Sequence, residues 1–331
     1  HSHGFPLQGE PDLFCQQKEV HHEKGREKTG GQEQKGRRGL QSQFGKEKAE
    51  AKNTVAQKAR QRGFPHLIHR NSSQFKGYGS ILPFPSPRRK AEKSHAAKDM
   101  RIEEAAKLIN SSKRPFIYFG GGLITADAQE EMLALAEKID APVGCSLMGL
   151  SAIPTDNPRF LGMQGMHGHY ASSMSMHNAD VILSLGVRFN DRVTGNRTKF
   201  AKEAKIVHID VDGSELNKTV NSVCGLRGDV KLTLQKLLPL LNESAKPDWM
   251  TKVNAFRKEE ESYLDNREGL TPRRAILTVN KYLGENTAVC TDVGQHQMWS
   301  AQNLYFRTSR RFVSSGGLGT MGFGTGAAIG A

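Results

Sequence analysis

The residues of this chain best suited to chemistry are glycines and methionines grouped around a few charged side chains. The run FLGMQGMHGHY, Phe160 to Tyr170, carries Gly162, Gly165 and Gly168 among Met163, Met166, His167 and His169. Flexible thioethers adapt to a flat ring and glycines permit close backbone approach, so the run suits a ligand wall; an irregular connector reads the same way. Arg188 and Arg192 flank Asn190 and Asp191. An arginine pair at a strand end suits a pyrophosphate, and a surface ion-pair cluster is the alternative. Asp210 has the position to accept a ribose hydroxyl, or to form a turn. From Arg310 to Ala331 seven glycines surround Met321, and the chain ends within an apolar, helix-like stretch.

Those residues need strands and helices to hold them. Ile102, Ala105, Ala106 and Ile109 recur on one face of a helix in IEEAAKLINSS. PFIYF then reads as a short buried strand running into Gly120, Gly121 and Gly122, with a helix expected from Ala126 to Ile139. Strand, glycine turn and helix make half of a βαβ unit, whose helix start offers N–H groups to an anion; a bare glycine triplet also fits a simple turn. The pattern repeats: APVGCSLMG is a second strand, ADVILSLGVRF from Ala179 a third and KIVHIDVD from Lys205 a fourth. Helices are expected between His169 and His177 and between Asp229 and Leu241, and a further short strand from Thr287 to Cys290. Alternation of this kind predicts an α/β, doubly wound parallel sheet, with ligands at the carboxyl ends of the strands.

Length allows two domains in 331 residues. The net charge of +13 is uneven: residues 1–100 hold 20 of the 47 Lys and Arg but only 10 of the 34 Asp and Glu, leaving the rest nearly neutral. The segment from Gln16 to Gly63 is rich in Lys, Glu, Gln, Gly and Arg without apolar periodicity, which predicts disorder. A basic nucleic-acid arm is the competing reading; interspersed Glu and missing aromatics disfavour it. Cys15, Cys145, Cys224 and Cys290 form no C-x-x-C pair, so neither a zinc site nor a disulfide framework is indicated. No stretch reaches the roughly 18 apolar residues of a membrane span, which predicts a cytoplasmic protein.

Taken in order, RPFIYFGGG, SLMGL, GMHGHYA, MHNADVILSLGVRFNDRVTGN and HIDVD resemble the flavin-domain signatures of the acetolactate synthase (acetohydroxyacid synthase) large catalytic subunit family. TDVGQHQMWSAQ followed by RRFVSSGGLGTMGFG is similar to the opening of that family's diphosphate-binding domain. The match covers about residues 101–331. The resemblance implies a thiamine diphosphate and Mg²⁺ enzyme that decarboxylates pyruvate and condenses it with a second 2-ketoacid, pyruvate or 2-ketobutyrate, in branched-chain amino acid biosynthesis. It further implies bound FAD in a Rossmann-like central domain and a homo-oligomer, dimer or tetramer, with a possible regulatory subunit. It places FAD against Gly120, Gly121, Ser146, Leu147, Met148, Gly165, Met166, His167, Gly186, Arg188, Arg192, Asp210 and Asp229. It places thiamine diphosphate against Val293, Gly294, Gln295, His296, Gly319 and Met321. In that reading Met321 is the apolar wedge between the two cofactor rings, and the Gly319 carbonyl accepts a hydrogen bond from the pyrimidine amino group.

The implied organisation is a basic low-complexity segment over 1–98, a central domain over 99–245, a linker helix over 246–270 and the start of the thiamine diphosphate domain over 271–331. The family's first-domain glutamate, in a PGG-x-x-x-E context, has no match in residues 1–98, and its Gly-Asp-Gly metal clasp would lie beyond Ala331. No metal ligand is therefore assigned to this chain, and the expectation is an incomplete, inactive form. The competing class is a non-catalytic flavin- or nucleotide-binding α/β module with a basic tail.

Overall fold

The computed structural model describes residues 95–264 and 267–331. The readings of the basic segment as a disordered tail or a nucleic-acid arm lie outside the described residues, apart from its last few positions. The described residues fall within one compact unit.

Helix α1 (Asp99–Asn110) buries Ile102, Ala105, Ala106 and Ile109, the face its periodicity predicts. Strand β1 (Pro115–Phe119) is buried throughout. The helix expected over 126–139 is α3 (Gln129–Lys138); a short helix not expected there, α2 (Gly121–Thr125), precedes it in the glycine run, and the two are separated at Asp127, which adopts a φ of 54°. That left-handed turn is one an aspartate tolerates better than most residues. Strand β2 (Val143–Cys145) follows, with a short 3₁₀ turn at Leu147–Gly149.

Strand β3 (Phe160–Met163) lies inside the run expected to be a loop. Its pattern is concealed by Gly162, whose φ is +83° and whose missing side chain leaves room for the His169 ring. Then come α4 (Tyr170–Asn178), β4 (Val181–Leu185), the short α5 (Asp191–Thr194), β5 (Lys205–Asp210) and β6 (Cys224–Arg227). Four residues long, with a glycine and an arginine, β6 has too little apolar signal to be anticipated. Helices α6 (Val230–Leu237) and α7 (Pro247–Glu260) complete this part, and α7 falls in the span read as a linker helix.

The six strands pair in the order β3-β2-β1-β4-β5-β6, all parallel. The chain leaves β1 in one direction and restarts at β4 on its other side, so the strand order reverses between these neighbours. Both faces are covered. Ile117, Phe119, Leu183, Leu185, Val207 and Ile209 pack with residues of α1, α2, α3 and α6. Phe116, Tyr118, Ile182 and Ile206 pack with Met176 of α4 and with Trp249 and Val253 of α7. This alternation at period 2 is why the strands read as unbroken apolar runs.

The remainder consists of α8 (Pro272–Asn280), β7 (Val289–Thr291), α9 (Gln295–Asn303), β8 (Phe312–Ser314) and α10 (Phe323–Gly330). Strands β7 and β8 form a separate parallel pair. Ser151, held at a φ of +64°, accepts the N–H groups of Arg311 and Phe312 at 3.0 and 3.1 Å and ties this pair to the first sheet.

Where the strand order reverses, the turns after β1 and β4 touch through glycine. Gly122 N donates to Gly186 O at 2.9 Å, and a Cβ on Gly122 would stand 2.6 Å from Gly186 Cα. Alanine is the better helix former by about 1 kcal/mol, but such a clash costs about 1–3 kcal/mol. Gly122→Ala should therefore lower stability, as a fall in the urea midpoint. Leu183→Ala, in the middle of β4 and 1% exposed, should cost about 3 kcal/mol, with an unchanged urea m-value.

Candidate functional site

Every residue assigned above to the flavin lies at or just beyond the carboxyl end of one of the six parallel strands. Gly120 and Gly121 follow β1, Ser146 to Met148 follow β2, and Gly165 to His167 follow β3. Gly186, Arg188 and Arg192 follow β4, Asp210 ends β5, and Asp229 follows β6.

Backbone hydrogen bonds chain these ends together. Ser146 N donates to Phe119 O at 2.8 Å, Gly120 N to Leu185 O at 3.1 Å and Gly186 N to Ile209 O at 2.9 Å. The β3 and β4 loops meet where Met166 N donates to Arg192 O at 2.8 Å, and a Cβ on Gly165 would stand 2.5 Å from that same oxygen. Several glycines are thus needed for loop-on-loop contact. A Cβ on Gly120 would stand 2.7 Å from Gly186 O, and one on Gly121 3.3 Å from Met148 O.

Side chains on this edge are exposed or poised. Met148 and Met166 are 47% and 49% exposed. Arg188 reaches Glu215 at 3.6 Å but stays largely in solvent, and Arg192 and His167 are exposed. The Asp210 carboxylate is buried, accepts Asp212 N at 2.9 Å, and has its pKa pushed up by desolvation. Asn190 and Asp229 are engaged as helix caps, accepting from Val193 N and Leu232 N. A cleft of about 180 Å³ lies elsewhere, lined by Leu161, Ala171, Arg257 and the His169–Glu260 pair, and holds none of the flavin-assigned residues.

The residues assigned to thiamine diphosphate sit at the ends of β7 and β8. Gly294, at a φ of +155°, precedes α9, whose first residues Gln295 and His296 are exposed, as is Val293. Beyond β8, Gly319 and Gly322 take φ values of +73° and +80°, and a Cβ on either would meet nothing within 4 Å. Met321 between them is 84% exposed and Leu318 94%. Gln297 Nε2 donates to Ser314 Oγ at 2.6 Å and locks α9 to β8.

The sequence reading overlooked Asp292. Its carboxylate accepts Gly324 N at 2.6 Å, and backbone hydrogen bonds from Gly324, Gly322 and Phe323 hold its pKa low. It thereby caps α10 from the end of β7. The signal available was an acid directly after an apolar strand and before a glycine-led helix. The two groups of loops adjoin, because a Cβ on Gly316 would stand 2.7 Å from Leu147 Cδ2. Among the described residues no group of three His, Cys, Asp or Glu is placed to hold a metal ion.

Residues 102–237 match the family model described as "Thiamine pyrophosphate enzyme, central domain", and residues 292–331 match "Thiamine pyrophosphate enzyme, C-terminal TPP binding domain". The chain is 40% identical over 238 residues to the acetolactate synthase large subunit of Buchnera aphidicola subsp. Schlechtendalia chinensis, a match of 70% of this chain and 42% of that protein. The same figures describe the acetolactate synthase isozyme 3 large subunit of Escherichia coli. A probable acetolactate synthase large subunit from Methanocaldococcus jannaschii is 43% identical over 242 residues, 70% of this chain and 41% of that one. With two thiamine pyrophosphate enzyme domains that together cover just over half of it, the chain belongs to the thiamine pyrophosphate enzymes; it is about 40% identical to these acetolactate synthase large subunits and spans about two-fifths of their length.

Proposed function

We propose that this chain serves a thiamine diphosphate-dependent carboligase that condenses pyruvate with a second 2-ketoacid, pyruvate or 2-ketobutyrate, in branched-chain amino acid biosynthesis. The observation that carries the reading is the loop after β8: left-handed Gly319 and Gly322, open space around them, and Met321 projecting between. It faces the same strand ends as Gly294, Gln295 and His296. When bound, thiamine diphosphate supplies the electron sink for decarboxylation and for transfer of the two-carbon unit.

The chain's residues bind and orient. Met321 offers the apolar wedge that holds two rings in a folded arrangement, and the Gly319 carbonyl accepts from an exocyclic amine. Gln295 and His296 provide polar and ionisable groups for the diphosphate end, near the N–H groups at the start of α9. Asp292 acts indirectly, by pinning the start of α10.

The donor set on the six-stranded edge fits FAD. Exposed Met148 and Met166 suit a flat ring system, Arg188 and Arg192 suit a pyrophosphate, and the strand-end Asp210 suits a ribose hydroxyl. Mg²⁺ would neutralise the thiamine cofactor's diphosphate, with ligands from outside the described residues. The relatives are large subunits by name. That name supports a homo-oligomer and a regulatory partner. A cytoplasmic location agrees with the finding that no described helix is long and apolar enough to cross a membrane.

Calorimetric titration with thiamine diphosphate and Mg²⁺ tests the reading. Saturable binding is expected, and Met321→Ala should weaken it roughly tenfold, about the cost of one buried apolar side chain, with an unchanged circular dichroism spectrum. A folded wild-type protein that retains flavin but takes up no thiamine diphosphate would establish the non-catalytic module instead.

A further inference from the structure

Under the loops at the reversal point lies a row of buried polar side chains. Tyr118 of β1 pairs in register with Ser184 of β4, and Ser184 with His208 of β5. Their exposures are 0%, 0% and 1%. In-register residues of parallel strands share a face, and these share theirs with Phe116 and Ile182, under α4. Tyr118 Oη, Ser184 Oγ, His208 Nδ1 and, from α4, Ser175 Oγ are all buried without a hydrogen-bond partner in the protein. A histidine in such a place is costly unless something depends on it.

One hydrogen bond explains its presence. His208 Nε2 lies 3.0 Å from Val187 O. A carbonyl only accepts, so Nε2 carries the hydrogen and Nδ1 the lone pair. Val187 belongs to the turn after β4, which starts at Gly186 with φ +53° and packs on Gly120 and Gly122. Beyond Val187 the chain presents Arg188 to solvent, returns Phe189 to the core and caps α5 with Asn190, placing Arg192. The Phe189 ring closes over the row, 5.2 Å from the imidazole edge-on and 5.8 Å from Tyr118.

We propose that His208 is a positioning residue for the flavin loop: its Nε2–H holds the Val187 carbonyl and so fixes the turn over residues 186–190, from which Arg188 and Arg192 reach the bound pyrophosphate. The inference deepens the flavin part of the proposed function and rests on it. The charged and titratable neighbours are Asp210 on the same strand, Glu215 in the turn that follows and the Tyr118 phenol in the row. Burial lowers the pKa of His208 below its ordinary value, against the opposing pull of Asp210 and Glu215. Opening the turn therefore takes up a proton, and the closed turn loses ground as pH falls below about 6.5, the ordinary histidine value. Asp210, whose pKa burial raises, works in the opposite direction at lower pH, and the variants below leave it in place.

The test compares His208→Met, similar in volume but without a donor, with His208→Gln, whose side-chain N–H can still reach Val187. Two quantities are read: amide hydrogen exchange over residues 186–190 in protein free of cofactor, and FAD affinity from quenching of flavin fluorescence. His208→Met should speed exchange and weaken FAD roughly tenfold each, the scale of one lost hydrogen bond, while His208→Gln stays within about threefold of wild type. Between pH 7 and 5.5 wild-type exchange, corrected for intrinsic rates, should rise, and that of His208→Gln should stay flat. The proposal is overturned if folded His208→Met matches wild type in exchange, if His208→Gln is as impaired as His208→Met, or if the wild-type pH profile is flat. Failure of the wild-type protein to bind FAD would remove the flavin reading, and the exchange data would still decide whether His208 holds the turn.

Discussion

The contact on which the rest of this structure depends is between two stretches of backbone. Strands β1 and β4 are neighbours in the sheet although β2 and β3 intervene in sequence. At such a reversal the loops leaving the two strands turn to opposite sides and open a crevice. Here the floor of that crevice is made by Gly120, Gly122 and Gly186, close enough that no Cβ fits at these positions without displacing main chain. The turns after β1 and β4 are thus held at their starts by main chain packed on main chain, which leaves some of the side chains beyond them free of structural duty. Met148, Met166 and Arg188 can remain exposed because the turns that carry them need nothing from them.

A second consequence concerns how the two sheets communicate. The segment after β2 contributes Leu147, whose side chain fills the space beside Gly316, and Ser151, whose hydroxyl receives two backbone N–H groups at the start of β8. One stretch of five residues therefore touches the strand-end loops of both sheets. Further bonds reinforce the seam, Gln302 to His167 O at 2.8 Å and Arg310 to Ile124 O at 2.7 Å. Of these contacts the Leu147 side chain reaches the glycine loop after β8, while the others hold the end of α9 and the start of β8.

Legibility in the sequence followed the strength of the local signal. Helix α1 and strands β1, β4 and β5 were plain, because Ile102, Ala105, Ala106 and Ile109 share one face and because a strand covered on both sides is a continuous apolar run. Strands β3 and β6 were hidden, each four residues long and each with a glycine in place of an apolar side chain. The carboxyl-end placement of the candidate site followed from the alternation of strands and helices, and the motif resemblance named its members. Roles that arise only in three dimensions were beyond reach: Asp292 capping a helix some thirty residues onward, and His208 donating to Val187.

Glycine shows why a motif alone cannot say what its residues do. Gly120, Gly122 and Gly186 resemble ligand-facing glycines in sequence, yet a side chain on any of them would strike protein backbone. Gly317, Gly319 and Gly322 also sit in a glycine-rich run, but a Cβ there would enter open space. For Gly319 and Gly322 the left-handed φ accounts for glycine without any neighbour, since the conformation itself disfavours a side chain. The first group is therefore spent on the fold and the second keeps its surface free, so within one chain the glycines that build a site and those able to line it are separable by what an added methyl group would touch.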